Sequence, residues 1–304
     1  MEGAHARQRA EPAMTASAQL RSGKGSRDEN FPVASLLIRR RHRPVILAFY
    51  AFVRIADDIA DHPALSVHEK LSRLDRLEAN LLGHGDDEPE GVTLRDILRA
   101  RGLSPWHAQN LLRAFRQDVT KQRYANWDEL IGYCKLSAMP VGRFVLDVHG
   151  EPHSTWPASD ALCAALQIIN HLQDCAADYR TLDRVYLPVD ALASNELGVE
   201  ALGQSRASPA LNRCLQGLAR RVAGLLEHSR PLPALVSDTR LAMEISAIQM
   251  LADRLVATLL IRDPLSECVH LKKTEMLVTG AAGAALGLSR WLLMRAAPSL
   301  SAVS

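Results

Sequence analysis

Apolar residues recur every three or four positions along most of this chain, and that period constrains the fold more than any other feature. Leu71, Leu74, Leu77, Leu81 and Leu82 follow it, as do Leu211, Leu215, Leu218, Val222, Leu225 and Leu226. A third run comprises Leu241, Ile245, Ile248, Leu251, Leu255 and Leu259. A helix turns once in about 3.6 residues, so each run lays an apolar stripe along one face. Stretches that alternate β-branched and polar residues, the mark of a half-buried strand, are missing from the sequence. The pattern predicts an all-α fold. Ser104-Pro105 and Ser208-Pro209 predict helix starts, with serine as cap and proline in the first turn. Gly83 to Gly91, Gly150 to Pro157 and Pro231 to Pro233 mark loops. No repeat of fixed period and no long linker interrupts the 304 residues, so one helical domain is the economical reading.

Composition narrows the class of protein. Hydrophobic residues make up 47% and charged residues 23%, which is globular rather than disordered. Lysine and arginine number 36 against 34 acids, which excludes a general electrostatic case for nucleic-acid binding. Cys134, Cys163, Cys175, Cys214 and Cys268 form no C-x-x-C pair and no zinc spacing, and read as buried free thiols in a reducing compartment. No segment reaches the ~18 uncharged apolar residues of a membrane span. Met276 to Ser289 comes nearest, and Gly280, Gly283 and Gly287 interrupt it. The first thirty residues have no apolar core of the signal-peptide kind. Residues 1–27 are therefore expected to be a disordered leader, 28–275 the helical domain and 276–304 an apolar C-terminal helix or tail, in a cytoplasmic protein.

Two sets of carboxylates break the apolar helical pattern. Asp57 and Asp61 lie four apart, one turn from each other on one helix face. Asn170, Asp174 and Asp178 form an i, i+4, i+8 row of oxygen donors. Like charges at that spacing destabilise a helix by about 0.2–0.5 kcal/mol. A solvated surface face is one explanation, but the flanking residues are Ile, Ala, Leu and Cys rather than compensating cations. Two such rows facing each other need a cation between them. Oxygen-only donors favour Mg²⁺, which keeps waters and takes one or two carboxylates plus phosphate oxygens. Arg54, one turn before Asp57, and Arg184, soon after Asp178, are placed either to meet a diphosphate or to form surface ion pairs.

Together these stretches resemble the squalene/phytoene synthase family. Tyr50 to Asp61 matches its Y-A-F-x-R-x-x-D-D-x-x-D motif, and Gln167 to Asp178 with Arg184 to Pro188 matches Q-x-x-N-x-x-x-D-x-x-x-D…R-x-Y-L-P. The resemblance implies the isoprenoid synthase (class I terpene synthase) fold, an all-α bundle around a central cavity with an acidic mouth and an apolar depth. It implies magnesium held by Asp57, Asp61, Asn170, Asp174 and Asp178. Arg54 and Arg184 would neutralise a leaving diphosphate, with Gln167 and Tyr186 beside the substrate and Tyr50 and Tyr133 lining the reacting centre.

Finer features resemble the hydroxysqualene-forming branch of that family, tied to hopanoid biosynthesis. These are Glu29 to Ser35 and Tyr133 to Arg143, which contains Ser137-Ala138-Met139-Pro140-Val141-Gly142. Condensing relatives tend to carry arginine where this chain has Gln173. The resemblance then implies ionisation of presqualene diphosphate, rearrangement, and capture of the cation by water to give hydroxysqualene. The alternative is a head-to-head condensing synthase making presqualene diphosphate, dehydrosqualene or phytoene. Pro140 predicts either a kink that turns carbonyls toward a bound cation or a simple helix break between Met139 and Pro140. No G-x-G-x-x-G follows a strand, in keeping with hydration rather than reduction by NADPH. Apolar faces near Arg290 and Arg295 predict either a peripheral contact with the inner membrane face or ordinary packing of a terminal helix. Enzymes of the preceding and following steps are the candidate protein partners.

Overall fold

The computed structural model describes residues 37–296. The expected leader over 1–27 and the Glu29–Ser35 motif lie outside the described residues. Helix α1 (Arg43–Asp61) starts with Pro44 in its first turn and buries Val45, Ile46, Phe49, Phe52, Ile55, Ala56, Ile59 and Ala60. Helix α2 (Val67–Leu82) opens on a capping box in which Ser66 and Glu69 each accept the other's backbone N–H, and Gly83 ends it with φ 89°. Helix α3 (Pro89–Arg101) and helix α4 (Trp106–Thr120) complete the first half of the bundle. The helix start lies at Pro89, so Gly91 is helical and the loop expected to run from Gly83 to Gly91 is shorter. Ser104 is not the cap residue of α4; Pro105 is, although the Ser104 hydroxyl still accepts the Trp106 N–H.

Helix α5 (Trp127–Ser137) is capped by Asn126, and helix α6 (Met139–His149) follows it through one joint residue, Ala138. Pro140 falls in the first turn of α6, where its missing N–H costs nothing. A helix break is therefore the outcome, but it falls at Ala138 rather than between Met139 and Pro140, and the mid-helix kink is not found. Helix α7 (Trp156–Leu182) is 27 residues long and ends at Asp183 in a left-handed conformation. Helix α8 (Val189–Ala193) is a short turn, helix α9 (Pro209–Ser229) begins at the expected Ser208 cap, and helix α10 (Leu232–Leu235) makes a helical turn of the Pro231–Pro233 loop. Helix α11 (Thr239–Leu259) is capped by Asp238 and helix α12 (Lys273–Ala296) packs back along it. Among the described residues there is no strand, only an isolated parallel bridge between Arg123 and Val185.

The apolar faces condense into two clusters. One gathers α1 to α4 with Phe144 and Val148 of α6, and the other gathers α5, α7, α9 and α11. Between them lies an apolar cavity of about 270 Å³. Phe49, Tyr50 and Val53 of α1, Gly142 and Val145 of α6, Leu162 and Leu166 of α7, and Ile245 and Ile248 of α11 line it. Gly142 is required there: a Cβ would lie 2.5 Å from both Ser159 Oγ and Cys163 Sγ. The cysteines are free, but Cys268 is exposed and Cys163 only partly buried, against the expectation that all five are buried. No described helix is long and apolar enough to cross a membrane.

Candidate active site

Two of the helices that line the cavity, α1 and α7, carry acids just beyond it. On α1 the lining residues Phe49, Tyr50 and Val53 give way to Arg54, Asp57, Asp58 and Asp61. On α7 Leu162, Cys163 and Leu166 give way to Gln167, Asn170, Asp174 and Asp178. From Ile46 to Asp57 is a rise of roughly 16 Å at 1.5 Å per residue, so one end of the cavity is hydrocarbon and the other carboxylate. Asp57, Asp58 and Asp61 occupy the last turns of α1, where the helix dipole is negative and the last turn itself carries no basic residue. The local structure thus concentrates negative charge at one place.

The arginines bind this charge together. Arg54 Nη1 donates to Asp57 Oδ2 at 2.8 Å, and its Nη2 donates to Asp58 Oδ1 at 2.9 Å. Arg184, 7% exposed, donates from Nη1 to Asp61 Oδ1 at 2.6 Å and from Nη2 to the Ala60 carbonyl at 3.3 Å. Its own backbone N–H donates to the Asp178 carbonyl, so one residue bridges the ends of α1 and α7. Arg184 is no surface ion pair. Lys70 of α2 stands beside Arg184 and Asp61, and burial together with the Arg184 charge holds its pKa below the usual lysine range.

Two arginines do not neutralise the set. Burial, then Asp61, pushes the Asp57 carboxyl up to about 7 in spite of Arg54. Burial, then Asp174, pushes Asp178 to about 7 in spite of Arg184. Carboxylates that resist ionisation until neutrality are short of positive charge. Among the described residues no three His, Cys, Asp or Glu side chains converge closely enough to hold an ion unaided. A hydrated Mg²⁺ would take its remaining ligands from water and substrate oxygens. The oxygen donors available to such an ion are Asp57 and Asp61 on α1 and Asn170, Asp174 and Asp178 on α7. Asp174 has 48% of its side chain exposed, and His270 Nε2 lies 3.7 Å from its Oδ1.

A second layer lies beneath the acids, and its key residue escaped sequence reasoning. Asp118 of α4 is buried and accepts the Tyr133 hydroxyl at 2.7 Å and the Tyr186 hydroxyl at 3.0 Å. Burial raises its carboxyl to about 6, against the pull of Arg184 and the two phenols. Tyr124 packs against both tyrosine rings, which also touch each other, and its buried hydroxyl has no partner among the described residues. His171 stacks on Tyr186 with centroids 3.7 Å apart, and its Nε2 lies 3.1 Å from Gln167 Nε2. Burial and the Arg184 charge lower His171 to about 3, so it is a neutral imidazole. Tyr133 and Tyr186 therefore meet on one carboxylate, whereas Tyr50 lines the apolar cavity. The available signal for Asp118 was its place on the buried face of α4, four residues after Ala114 and seven after Leu111.

Gln173, adjacent to Asp174, is buried and donates from Nε2 to the Val269 carbonyl at 3.2 Å. Position 173 is thus occupied by a neutral group engaged with backbone.

The squalene/phytoene synthase family model matches residues 25–275. Over 265 residues, 87% of this chain and 91% of the relative, the sequence is 62% identical to hydroxysqualene synthase of Rhodopseudomonas palustris. It is 47% identical to hydroxysqualene synthase of Zymomonas mobilis, over 86% of this chain and 88% of that one. The crystal structure of a squalene synthase from Alicyclobacillus acidocaldarius is similar with a TM-score of 0.68 at 30% identity, covering 79% of this chain and 90% of the other. Likeness of this depth extends through both acidic helices and the cavity between them, and the chain belongs to the squalene/phytoene synthase family.

Proposed function

We propose that this chain ionises presqualene diphosphate and lets water capture the rearranged cation, releasing hydroxysqualene and diphosphate. The observation that carries the reading is a set of carboxylates short of positive charge at the end of an apolar cavity. It suits a substrate that is diphosphate at one end and hydrocarbon at the other. Relatives named hydroxysqualene synthase, 47–62% identical over most of their length, support the choice of product. Gln173 supports it as well, since a reaction starting from one diphosphate needs fewer cations than one that gathers two.

Asp57, Asp61, Asn170, Asp174 and Asp178 would hold Mg²⁺, which when bound supplies the Lewis acid that draws off the diphosphate. Arg54 and Arg184, already anchored on carboxylates, keep fixed positive charge beside the leaving group at no cost of reorganisation. Phe49, Val53, Leu166 and Ile248 enclose the hydrocarbon and keep bulk water from the cation. Tyr50 sits on that wall toward the acidic end. Tyr133 and Tyr186 are held as neutral phenols, because burial and Asp118 raise both well above the usual tyrosine range.

The enzyme is expected to work at a membrane surface, since substrate and product are insoluble in water. The outer face of α12 offers Leu277, Val278, Leu286 and Leu292 exposed, with exposed Lys272 and Lys273 at its start, as an interfacial helix does. Incubation with presqualene diphosphate and Mg²⁺ tests the central reading: an alcohol and pyrophosphate are expected, and no turnover would refute it.

A further inference from the structure

The segment 260–272, between α11 and α12, is tied down close to the acidic end of α7. Asp263 is buried and accepts the Ala207 N–H, the Leu265 N–H and the Ser266 hydroxyl. Arg262 Nη1 donates to the Cys268 carbonyl at 3.0 Å. Val269 is 1% exposed, and its carbonyl accepts from Gln173. The next residue, His270, keeps 43% of its side chain exposed and turns Nε2 toward Asp174 at 3.7 Å. Two consecutive residues of α7, Gln173 and Asp174, thus meet two consecutive residues of the segment, Val269 and His270. The first contact fixes the backbone. The second is longer than a hydrogen bond, so the imidazole faces the acidic site without being consumed by Asp174.

We infer that His270 is a further substrate-binding residue, donating through Nε2 to an oxygen of the diphosphate held beside Asp174, and that Gln173 is its positioning residue. The inference rests on the reading of the acidic rows as the diphosphate site. The side chain at 173 donates to a backbone carbonyl, and that contact sets the donor on residue 270. An imidazole whose Nε2 carries the proton is a competent donor to a phosphate oxygen, and the anion selects that tautomer. His270 is no part of either quoted motif.

The probe is inorganic pyrophosphate with Mg²⁺, titrated calorimetrically into the full chain, alongside steady-state turnover of presqualene diphosphate. His270→Ala is expected to weaken pyrophosphate binding about tenfold and to raise KM more than it lowers kcat, as loss of one hydrogen bond to a charged group does. His270→Gln, which retains an Nε2 donor, should regain part of the loss. Gln173→Ala should weaken binding in the same direction, and adding it to His270→Ala should cost little more, because both act through one contact. Wild-type binding in His270→Ala would overturn the inference while leaving the reaction intact. Fully additive losses would overturn the role given to Gln173. If pyrophosphate binding depends on His270 but presqualene diphosphate is not turned over, the inference stands and the substrate assignment falls.

Discussion

Asp57 lies at the negative end of a helix, one turn from Asp61 and against Asp58, with Arg54 shared between Asp57 and Asp58 and Arg184 on Asp61. A residue so placed serves something other than the stability of the empty protein. Asp57→Ala is expected to lower turnover at least about a hundredfold while the melting temperature holds or rises, and Asp174→Ala should do the same. EDTA should abolish wild-type turnover; an active Asp174→Ala variant would refute the metal cluster. Asp118 carries a prediction of pH dependence. Its carboxyl titrates near 6 in the fold and near 3.9 in an unfolded chain, so between those values the fold binds the extra proton and loses stability as pH rises. His42, lowered to about 4, and His171, lowered to about 3, act with the opposite sign, so the slope of the wild type alone is a balance. The difference isolates Asp118: relative to wild type, Asp118→Asn should gain stability between pH 4.5 and 7 by calorimetry in EDTA, and a constant difference would contradict this. The acidic rows were legible in the sequence because carboxylates at i, i+4 among Ile, Ala and Leu are locally unfavourable. Asp118 and His171 were not, because one buried polar residue in an amphipathic helix looks like a tolerated exception until its tertiary partners are known.

Among the elements, the contact of α6 with α7 and that of α12 with α11 both depend on missing side chains. Gly142→Ala would place a methyl group 2.5 Å from Ser159 Oγ and Cys163 Sγ, so the cavity wall must spread. Overpacking of that kind costs about 1–3 kcal/mol, and a lower melting temperature with a raised KM for the prenyl substrate is expected; unchanged values of both would show the wall to be pliant. Gly283 and Gly287 bring α12 close enough to α11 that a Cβ at either would strike Ser246 or Ala247. Removing residues 276–304 would therefore strip α11 as well as any membrane contact, and substitution is the cleaner probe. Leu277→Ser with Val278→Ser should leave the melting temperature nearly unchanged, because both side chains are exposed, yet weaken sedimentation with anionic liposomes. Equal sedimentation would remove α12 as the contact. The periodicity that located the helices says which residues share a face but not which faces meet. For that reason α9 and α11 were legible as amphipathic helices, while a helix break beside Pro140 remained one of two readings. Proline suits the first turn of a helix and disrupts its middle, and only the path of the chain decides between them.

For the molecule as a whole, the arrangement of charge makes the sharpest demand. One acidic end, two anchored arginines and a neutral Gln173 suit a substrate with a single diphosphate, and the cavity between the two apolar clusters matches its hydrocarbon in polarity. The protein is therefore expected to be nearly inert with farnesyl diphosphate alone, since joining two such molecules requires two diphosphates to be gathered before either leaves. With presqualene diphosphate and Mg²⁺ it should release pyrophosphate and form an alcohol in the absence of NADPH. In ¹⁸O-labelled water the hydroxyl oxygen should carry the label, because capture of a carbocation takes oxygen from solvent, whereas cleavage at phosphorus would retain the ester oxygen. Adding NADPH should leave the product unchanged. Squalene formed only with NADPH would instead make hydride the terminating nucleophile, and presqualene diphosphate accumulating from farnesyl diphosphate would make condensation the reaction catalysed. Mass spectrometry of the extracted products separates all three outcomes in one set of incubations, because they differ in oxygen content, in isotope and in whether diphosphate is retained.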